Sequence, residues 1–233
     1  MKTIGLIGGM SWESTVSYYQ QINEGVKQKL GGLHSAKIAM YSVDFAEIET
    51  LQHQGKWEET GEILAKAAKS VELAGADCLL ICTNTMHKVA DQIAQHIDIP
   101  ILHIADATAA QLQKDGINKV GLLGTKFTME QDFYKQRLVE QFGIEVVIPD
   151  DVQRETVHQV IYQELCQGNI RPESRKQYLD IIQDLYAHGA QAVILGCTEI
   201  ALLVSNEYTD VPLYDTTQIH ANAAVDFALT SGV

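Results

Sequence analysis

Two apolar stretches of the chain each lead into a side chain that can carry a proton. The run AVILG is followed by Cys197, while the run CLLIC contains Cys82 and is followed by Thr83. Cys197 also precedes TEIALLV, which looks like a helix start, and a helix N-terminus lowers the pKa of a thiol. We therefore expect a Cys197 thiolate near neutral pH. Two proton-handling groups on opposite faces of one carbon could invert its configuration, because one removes a proton while the other returns it.

The rest of the chain alternates short apolar runs with helix-like stretches, which is typical of βαβ units and a parallel sheet. The helical pattern is clear at 57–74, where apolar residues recur on one face. The predicted strands are, in chain order, TIGLIGG, AKIAMYSVDF, ADCLLIC, IPILHI, KVGLLGT, IEVVIPD, QAVILGC and VPLYD.

The two halves of the chain are similar to each other. IGLIGG from Ile4 matches VGLLGT from Val120, and GADCLLICT from Gly75 matches GAQAVILGC from Gly189. The sequence therefore predicts an α/β fold of two similar lobes, related by a pseudo-two-fold axis from an internal duplication. Each lobe is expected to contain a parallel four-stranded sheet flanked by helices.

The division into two lobes also predicts where the active site lies. We assign residues 1–103 plus 213–233 to the first lobe and residues 104–212 to the second. Ligands bind beyond the carboxyl ends of the strands in open parallel sheets. The active site is therefore expected in the cleft between the two lobes.

The internal repeat decides between the two candidate residues of the first half. It aligns Thr83 with Cys197 and Cys82 with Gly196. A shift of one residue along a strand turns the side chain to the other face. We therefore expect Cys82 to pack behind the strand, and Thr83 to occupy the position opposite Cys197.

Charge and hydropathy exclude several classes of partner. The formal net charge of −13 argues against nucleic acid and against anionic membranes, which would repel the chain. No apolar run is long enough to span a bilayer, and the start lacks the apolar region of a signal peptide. A cytoplasmic location is the expectation, with four free cysteines rather than a disulfide framework.

Motifs for cofactors and metals are missing from the sequence. GLIGGM has the glycine spacing GxxGG rather than GxGxxG, and neither GxxxxGK[ST] nor GxSxG occurs. The cysteine spacings match no zinc pattern. A pyridoxal enzyme would need a Schiff-base lysine, and Lys126, the only candidate nearby, is expected to be a solvated loop lysine. We predict no cofactor and no metal.

Two stretches carry a family resemblance. CTNTMH and ILGCTEIALL resemble the signature stretches of the cofactor-independent aspartate/glutamate racemase family, which includes hydantoin racemases and maleate isomerases. The start GLIGGMSWEST and the duplicated lobes extend the resemblance over essentially the whole chain. In detail the chain is most similar to the enteric-type aspartate/glutamate racemase branch.

The resemblance implies a two-base mechanism on a small amino-acid substrate. One cysteine removes the α-proton and a second delivers a proton to the opposite face. Members carry their first cysteine immediately before Asn-Thr, whereas this chain has Thr83 there. A hydroxyl is a far weaker acid and base than a thiol, and the resemblance implies that Cys197 serves the face presented by the L-enantiomer. We therefore expect the α-proton to be withdrawn better from the L- than from the D-substrate. The resemblance also implies a homodimer, for which the sequence names no interface.

Further site residues follow from their places in the motifs. Asn84, Thr85 and Thr198 are expected to hold the α-carboxylate, and Gln52 to read the distal group of the substrate. Glu199 is expected to tune Cys197 or orient the substrate ammonium, and His87 to pack. The residues expected to shape the pocket are Met10, Ser11, Thr125 and Thr128.

Two alternatives stay open at this point. One is a relative acting on other substrates, such as a hydantoin racemase or a maleate isomerase. The other is a non-catalytic amino-acid-binding protein of the same fold, in which Thr83 marks lost catalysis. The preference between aspartate and glutamate is also open, because loops supply the residues that would read it.

Overall fold

The computed structural model of the protein describes residues 1–230. Its contacts divide the chain into two compact units. The first unit contains residues 1–104 together with the described chain from His220 onward, and the second contains residues 105–219. Within residues 1–230, no helix combines the length and the apolar character needed to cross a membrane.

The first unit begins with strands and helices in alternation. Its elements are, in chain order, β1 (Thr3–Gly8), α1 (Trp12–Leu30), β2 (Lys37–Ser42), α2 (Phe45–His53), α3 (Trp57–Leu73), β3 (Cys78–Ile81), a 3-10 turn at Thr85–Val89, and α4 (Ala90–Ala94). The strands form a parallel sheet in the order β2-β1-β3.

The second unit repeats this pattern. Its elements are α5 (Ile104–Lys114), β4 (Lys119–Gly124), α6 (Lys126–Glu130), α7 (Asp132–Phe142), β5 (Glu145–Val147), α8 (Asp151–Gln163), a 3-10 turn at Leu165–Gln167, α9 (Pro172–Ala187), β6 (Ala192–Gly196), α10 (Ile200–Leu203) and β7 (Leu213–Asp215). The parallel order is β5-β4-β6-β7. The last helix, α11 (Thr216–Leu229), begins in this unit and continues into the first.

Alternate side chains of the central strands fill two apolar layers in the first unit. Ile7, Leu79 and Ile81 pack on the side of α3. Leu6 and Leu80 pack on the other side, with residues of α1 and α11. The strands are thus buried on both faces, which explains why they are almost continuously apolar.

The first sheet has three strands rather than the four predicted. The stretch IPIL is reduced to one bridge, in which Ile101 pairs with Leu79, and α5 follows from Ile104. The equivalent stretch of the second unit does form a strand, β7, beside β6. Since β7 belongs to the second sheet, the lobe boundary predicted at residue 213 falls inside the second unit.

The turn after β1 is held by one hydroxyl group. The Gly9 N–H donates to Thr15 Oγ1 at 2.8 Å, and Thr15 Oγ1 donates to the Ser11 carbonyl at 2.9 Å. Gly9 has a φ of 91°, and a Cβ there would lie 2.3 Å from the Val43 carbonyl oxygen. Glycine at this position therefore lets the chain turn sharply and fixes where Met10 and Ser11 lie.

Gly9→Ala should destabilise the protein by about 2–4 kcal/mol, because the methyl group would meet backbone at a positive φ. Gly116→Ala is the matched control, since Gly116 has a φ of 73° but open space around a Cβ. It should cost about 1 kcal/mol. Urea unfolding of the two variants measures the difference, and equal losses would contradict the proposed clash.

Candidate active site

The hydrogen-bond registers of the two sheets define equivalent positions in the two units. Ile7 of β1 pairs with Ile81 in the first sheet, and Leu123 of β4 pairs with Leu195 in the second. Ile7 and Leu123 hold the same place in the matching segments TIGLIG and KVGLLG. Ile81 and Leu195 are therefore structurally equivalent, and so are the residues that follow each of them by two places.

Thr83 and Cys197 occupy these equivalent positions, and Cys82 corresponds to Gly196. The Cys82 side chain is fully buried in the apolar layer formed with α1 and α11. Burial raises the pKa of its thiol, since a thiolate would lose its hydration there. Thr83, one residue later, is only half-buried. The prediction that Cys82 packs behind the strand is confirmed.

The polar residues after β3 form a tight turn. The Thr83 N–H donates to the Ile81 carbonyl at 2.8 Å, and the 3-10 turn Thr85–Val89 follows. Asn84 and Thr85 are both buried. These side chains are therefore held in fixed places, as a binding role for them requires.

His87 forms hydrogen bonds to the backbone of Thr83 and to that of Ile104, the last residue of the segment 1–104 of the first unit. The Ile104 N–H donates to His87 Nε2 at 3.2 Å, so the ring proton lies on Nδ1. Nδ1 then donates to the Thr83 carbonyl at 2.8 Å. The ring is buried, and burial lowers the pKa of His87 well below its usual value. His87 is thus a neutral support for the turn that carries Thr83, in agreement with a packing role.

A second buried histidine, His220, lies close to His87 and was not singled out from the sequence. The two ring centroids are 5.7 Å apart. His220 Nε2 lies 2.6 Å from the Leu102 carbonyl, to which it donates, and Nδ1 accepts from the Tyr18 hydroxyl at 2.9 Å. Burial lowers the pKa of His220 to about 4. Tyr18 and His220 are 202 residues apart, so no local pattern could reveal the pair.

Cys197, Thr198 and Glu199 form a buried hydrogen-bonded group before α10. The Cys197 thiol donates to Glu199 Oε2 at 3.0 Å, and the Thr198 hydroxyl donates to the same oxygen at 2.7 Å. All three residues are buried. One carboxylate oxygen therefore accepts hydrogen bonds from both predicted site residues beside it.

The pKa of Cys197 differs from the sequence-based expectation. Burial, followed by the negative charge of Glu199, raises the pKa of Cys197 well above that of an ordinary thiol. The helix that follows has only 4 residues and offers little dipole to oppose this. The prediction of a thiolate near neutral pH is wrong, because Cys197 keeps its proton and donates it to Glu199.

Ser11 and Thr125 cap equivalent helices. The Ser14 N–H donates to the Ser11 hydroxyl at 3.4 Å at the start of α1, and the Thr128 N–H donates to Thr125 Oγ1 at 3.3 Å at the start of α6. All of these residues are buried, and Met10 belongs to the apolar layer beside α3. Capping is thus an additional structural role for two of the predicted pocket residues.

Gln52 lies in helix α2, whereas the residues that read the distal group were expected to come from loops. Asp44 begins this helix, because its carboxylate accepts from the Ala46 N–H at 3.1 Å. Gln52 is only 2% exposed, so it is not a surface glutamine. A buried amide of this kind can contribute to a binding pocket.

Lys126 begins α6 and forms an ion pair with Glu155. This pairing raises the pKa of Lys126, so the ammonium keeps its proton. The Lys126 N–H donates to His158 Nδ1 at 3.2 Å. Lys126 is therefore a charged, ion-paired lysine that lies in a helix and not in a loop.

The four cysteines are free thiols. In the part of the chain that the structure describes, no three His, Cys, Asp or Glu side chains group together as metal ligands would.

The repeated parallel α/β units and their two equivalent polar turns define the class of two-lobed racemase folds. Residues 7–224 match the family described as Asp/Glu/Hydantoin racemase, and the chain belongs to this family. The broad specificity amino-acid racemase RacX of Bacillus subtilis is 23% identical over 227 residues, covering 95% of this chain and 96% of that protein.

Two solved structures are similar in both fold and sequence. A proposed Asp/Glu racemase from Yersinia pestis is 57% identical, covers 99% of this chain and 100% of its own, and has a TM-score of 0.92. An aspartate racemase homologue from Pyrococcus horikoshii is 36% identical, covers 98% and 99%, and has a TM-score of 0.85. These relatives support an isomerase-type enzyme that racemises amino acids.

Glu199→Gln should lower the pKa of Cys197, because it removes the negative charge that opposes the thiolate. The pH dependence of the thiolate's ultraviolet absorbance measures this pKa, and Cys197→Ala identifies the signal. Glu207→Gln, an exposed change, serves as the control. An unchanged titration in Glu199→Gln would contradict the role assigned to this carboxylate.

The buried neutral histidines should make the protein less stable in acid. His220 takes up a proton at pH 6.5 when unfolded but only near pH 4 when folded. The contribution of neutral His220 to the free energy of unfolding is complete above pH 6.5 and is lost as the pH falls toward 4. The loss is about 1.4 kcal/mol for each pH unit. His220→Gln should flatten the pH dependence of urea unfolding across this range, whereas His34→Gln, at an exposed position, should not. Parallel profiles for wild type and His220→Gln would refute the assignment.

Proposed function

We propose that this chain is a racemase of aspartate or glutamate that works without pyridoxal phosphate or another cofactor. The observation that carries the proposal is the equivalence of Thr83 and Cys197 in the two sheet registers. A duplicated fold with an acid/base group after the same strand of each unit can supply two such groups to one α-carbon. Membership of a racemase family supports the same class of reaction.

In the proposed reaction Cys197 withdraws the α-proton of the L-enantiomer. The thiol first passes its own proton to Glu199 Oε2, which already accepts its hydrogen bond at 3.0 Å. The thiolate then takes the α-proton and becomes a thiol again. The electron pair of the broken C–H bond stays on the α-carbon and is delocalised into the α-carboxylate.

Thr83 completes the proposed inversion by donating its hydroxyl proton to the opposite face. Glu199 then releases a proton to solvent and Thr83 regains one, which restores both groups. A hydroxyl is a much weaker acid than a thiol, so proton transfer at Thr83 is the slow step. The L-preference follows as a difference in rates and protonation states, since the equilibrium between enantiomers is fixed by the substrate.

The remaining predicted residues bind the substrate in this proposal. The buried Asn84 and Thr85 hold the α-carboxylate with Thr198, whose hydroxyl must turn from Glu199 or leave the contact to its backbone N–H. Gln52 reads the distal carboxylate. The pocket wall is formed by Met10, Ser11, Thr125 and Thr128.

Exchange of the α-proton in deuterated water tests the proposed asymmetry. Deuterium should enter L-aspartate or L-glutamate faster than the corresponding D-enantiomer, because Cys197 serves the L-face. Mass spectrometry of the recovered amino acid, without added cofactor, measures both rates. Equal exchange from both enantiomers would count against the Cys197–Thr83 assignment.

Two cysteine variants provide the matched comparison. Cys197→Ala should abolish exchange, whereas Cys82→Ala should retain it, because Cys82 is buried in the core. Substrate binding without exchange in the wild-type chain would favour a non-catalytic amino-acid-binding protein. Exchange on hydantoins but not on aspartate or glutamate would favour a hydantoin racemase.

A further inference from the structure

Helix α10, which follows the Cys197–Glu199 group, is too short to hold its own position. It has only 4 residues, Ile200–Leu203, and a single helical turn is unfavourable without support from the surrounding structure. Its two buried side chains pack in the apolar core of the second unit, but apolar contacts are non-directional and do not fix a helix end. In the described chain the Glu199 side chain does not cap α10, since its carboxylate accepts from Cys197 and Thr198. Polar contacts from elsewhere must therefore fix α10.

The backbone of α10 in turn fixes the geometry of the thiol and the carboxylate. The Ile200 N–H donates to the Cys197 carbonyl at 3.1 Å, and the Leu202 N–H donates to the Glu199 carbonyl at 3.0 Å. A shift of α10 would therefore move the Glu199 carboxylate relative to the Cys197 thiol. The hydrogen bond between them, 3.0 Å long, would weaken steeply as its distance and angle change.

Arg175 holds the carboxyl end of α10. Its Nε donates to the Leu203 carbonyl at 2.7 Å, and the last carbonyl groups of a helix have no partner inside the helix. The guanidinium carbon lies 4.3 Å from the ring centroid of Tyr208, in the segment between α10 and β7. The ring therefore supports one face of the guanidinium. A single side chain of α9 thus contacts both α10 and the segment that follows it.

Helix α9 is a firm base for this contact. The buried Ser174 donates from its hydroxyl to Glu164 at 2.6 Å. The hydroxyl of Tyr178, which is fully buried, donates to the Val157 carbonyl at 2.9 Å. Arg175 lies between these two anchored residues and is itself half-buried. A side chain that starts from a fixed helix can hold its partner in a defined place.

We propose that Arg175 is a positioning residue for Cys197, because it holds α10 where the thiol and the Glu199 carboxylate stay in hydrogen-bond contact. Arg175 acts only through the Leu203 carbonyl and α10, and it touches no reacting atom. A guanidinium suits this role, since it is planar and presents its donors in a fixed arrangement. The inference rests on the proposed function for the role of Cys197 as a base, whereas the geometry of the thiol–carboxylate pair is measurable without substrate.

Arg175→Met tests the proposal on the protein without substrate. Methionine keeps part of the apolar stem but cannot donate to the Leu203 carbonyl, so the Glu199 carboxylate should move away from the thiol. The pKa of Cys197 should then fall by about one pH unit. The pH dependence of thiolate absorbance measures it, with each variant referenced to the same variant carrying Cys197→Ala. Loss of a positive charge would by itself raise this pKa, so a fall identifies positioning.

Arg171→Met is the matched control for this substitution. Arg171 lies one helical turn before Arg175, is exposed, and pairs with Glu164 across 3.6 Å. The variant removes the same charge and should leave the pKa of Cys197 unchanged. Arg175→Lys should restore most of the wild-type pKa, because an ammonium can still donate to the Leu203 carbonyl. Equal pKa values in wild type and Arg175→Met, or equal shifts in the two methionine variants, would overturn the proposal.

Tyr208→Leu is a second variant that keeps every charge near Cys197. Tyr208 is 48% exposed, so the fold should tolerate the change. Without the ring the guanidinium is held less firmly, and the pKa of Cys197 should fall by a smaller amount than in Arg175→Met. If Arg175→Met does not fold, as judged by circular dichroism, Tyr208→Leu decides. An unchanged pKa in Tyr208→Leu would then overturn the proposal.

Deuterium exchange separates this inference from the proposed function. Arg175→Met should slow exchange into L-aspartate or L-glutamate by at least about tenfold, because small displacements of a reacting group are costly. Arg171→Met should exchange at the wild-type rate. A fall in the pKa of Cys197 without slower exchange would overturn the role of Arg175 in the reaction. A wild type that exchanges no deuterium would refute the proposed function, and the thiol titration would still decide whether Arg175 positions the pair.

Discussion

Parallel pairing of the central strands constrains every feature of the candidate site. Because β1 pairs with β3 at Ile7 and Ile81, the side chain of Cys82, which follows Ile81, enters the apolar core. The next side chain, that of Thr83, is the first that leaves the core. The same pairing of β4 with β6 delivers Cys197 in the second unit. A thiol and a hydroxyl therefore occupy matched positions, and the adjacent Cys82 is left in the core.

Burial then determines the protonation of the groups that surround these positions. Without substrate, Cys197 keeps its proton in a hydrogen bond to the buried Glu199 carboxylate, because burial and that negative charge raise the pKa of the thiol. His87 and His220 are held in neutral form by burial and by fixed hydrogen-bond partners. Polar contacts in this protein therefore hold protons on defined atoms. Protons held in this way suit an enzyme whose proposed reaction removes a proton from one face of a carbon and returns a proton to the other.

Much of the fold and part of the site could be predicted from the sequence, because the internal repeat supplies a register without any structure. Seven of the eight predicted strands form, and the equivalence of Thr83 with Cys197 follows from the repeat alone. The raised pKa of Cys197 could not be predicted, since it depends first on the burial of the thiol and then on how the Glu199 side chain turns back toward it. The Tyr18–His220 bond joins residues that are 202 positions apart, which no local sequence pattern reveals.

The double attachment of His87 has a consequence for how this chain can vary. Its two ring nitrogens bind Thr83 and Ile104, which closes the segment between those residues into a ring of fixed length. Substitutions inside that ring can be absorbed by local repacking. An insertion or deletion cannot, because it would detach one end of the histidine and release the carbonyl that it holds. Homologues that keep this histidine should therefore vary in composition there while conserving the number of residues.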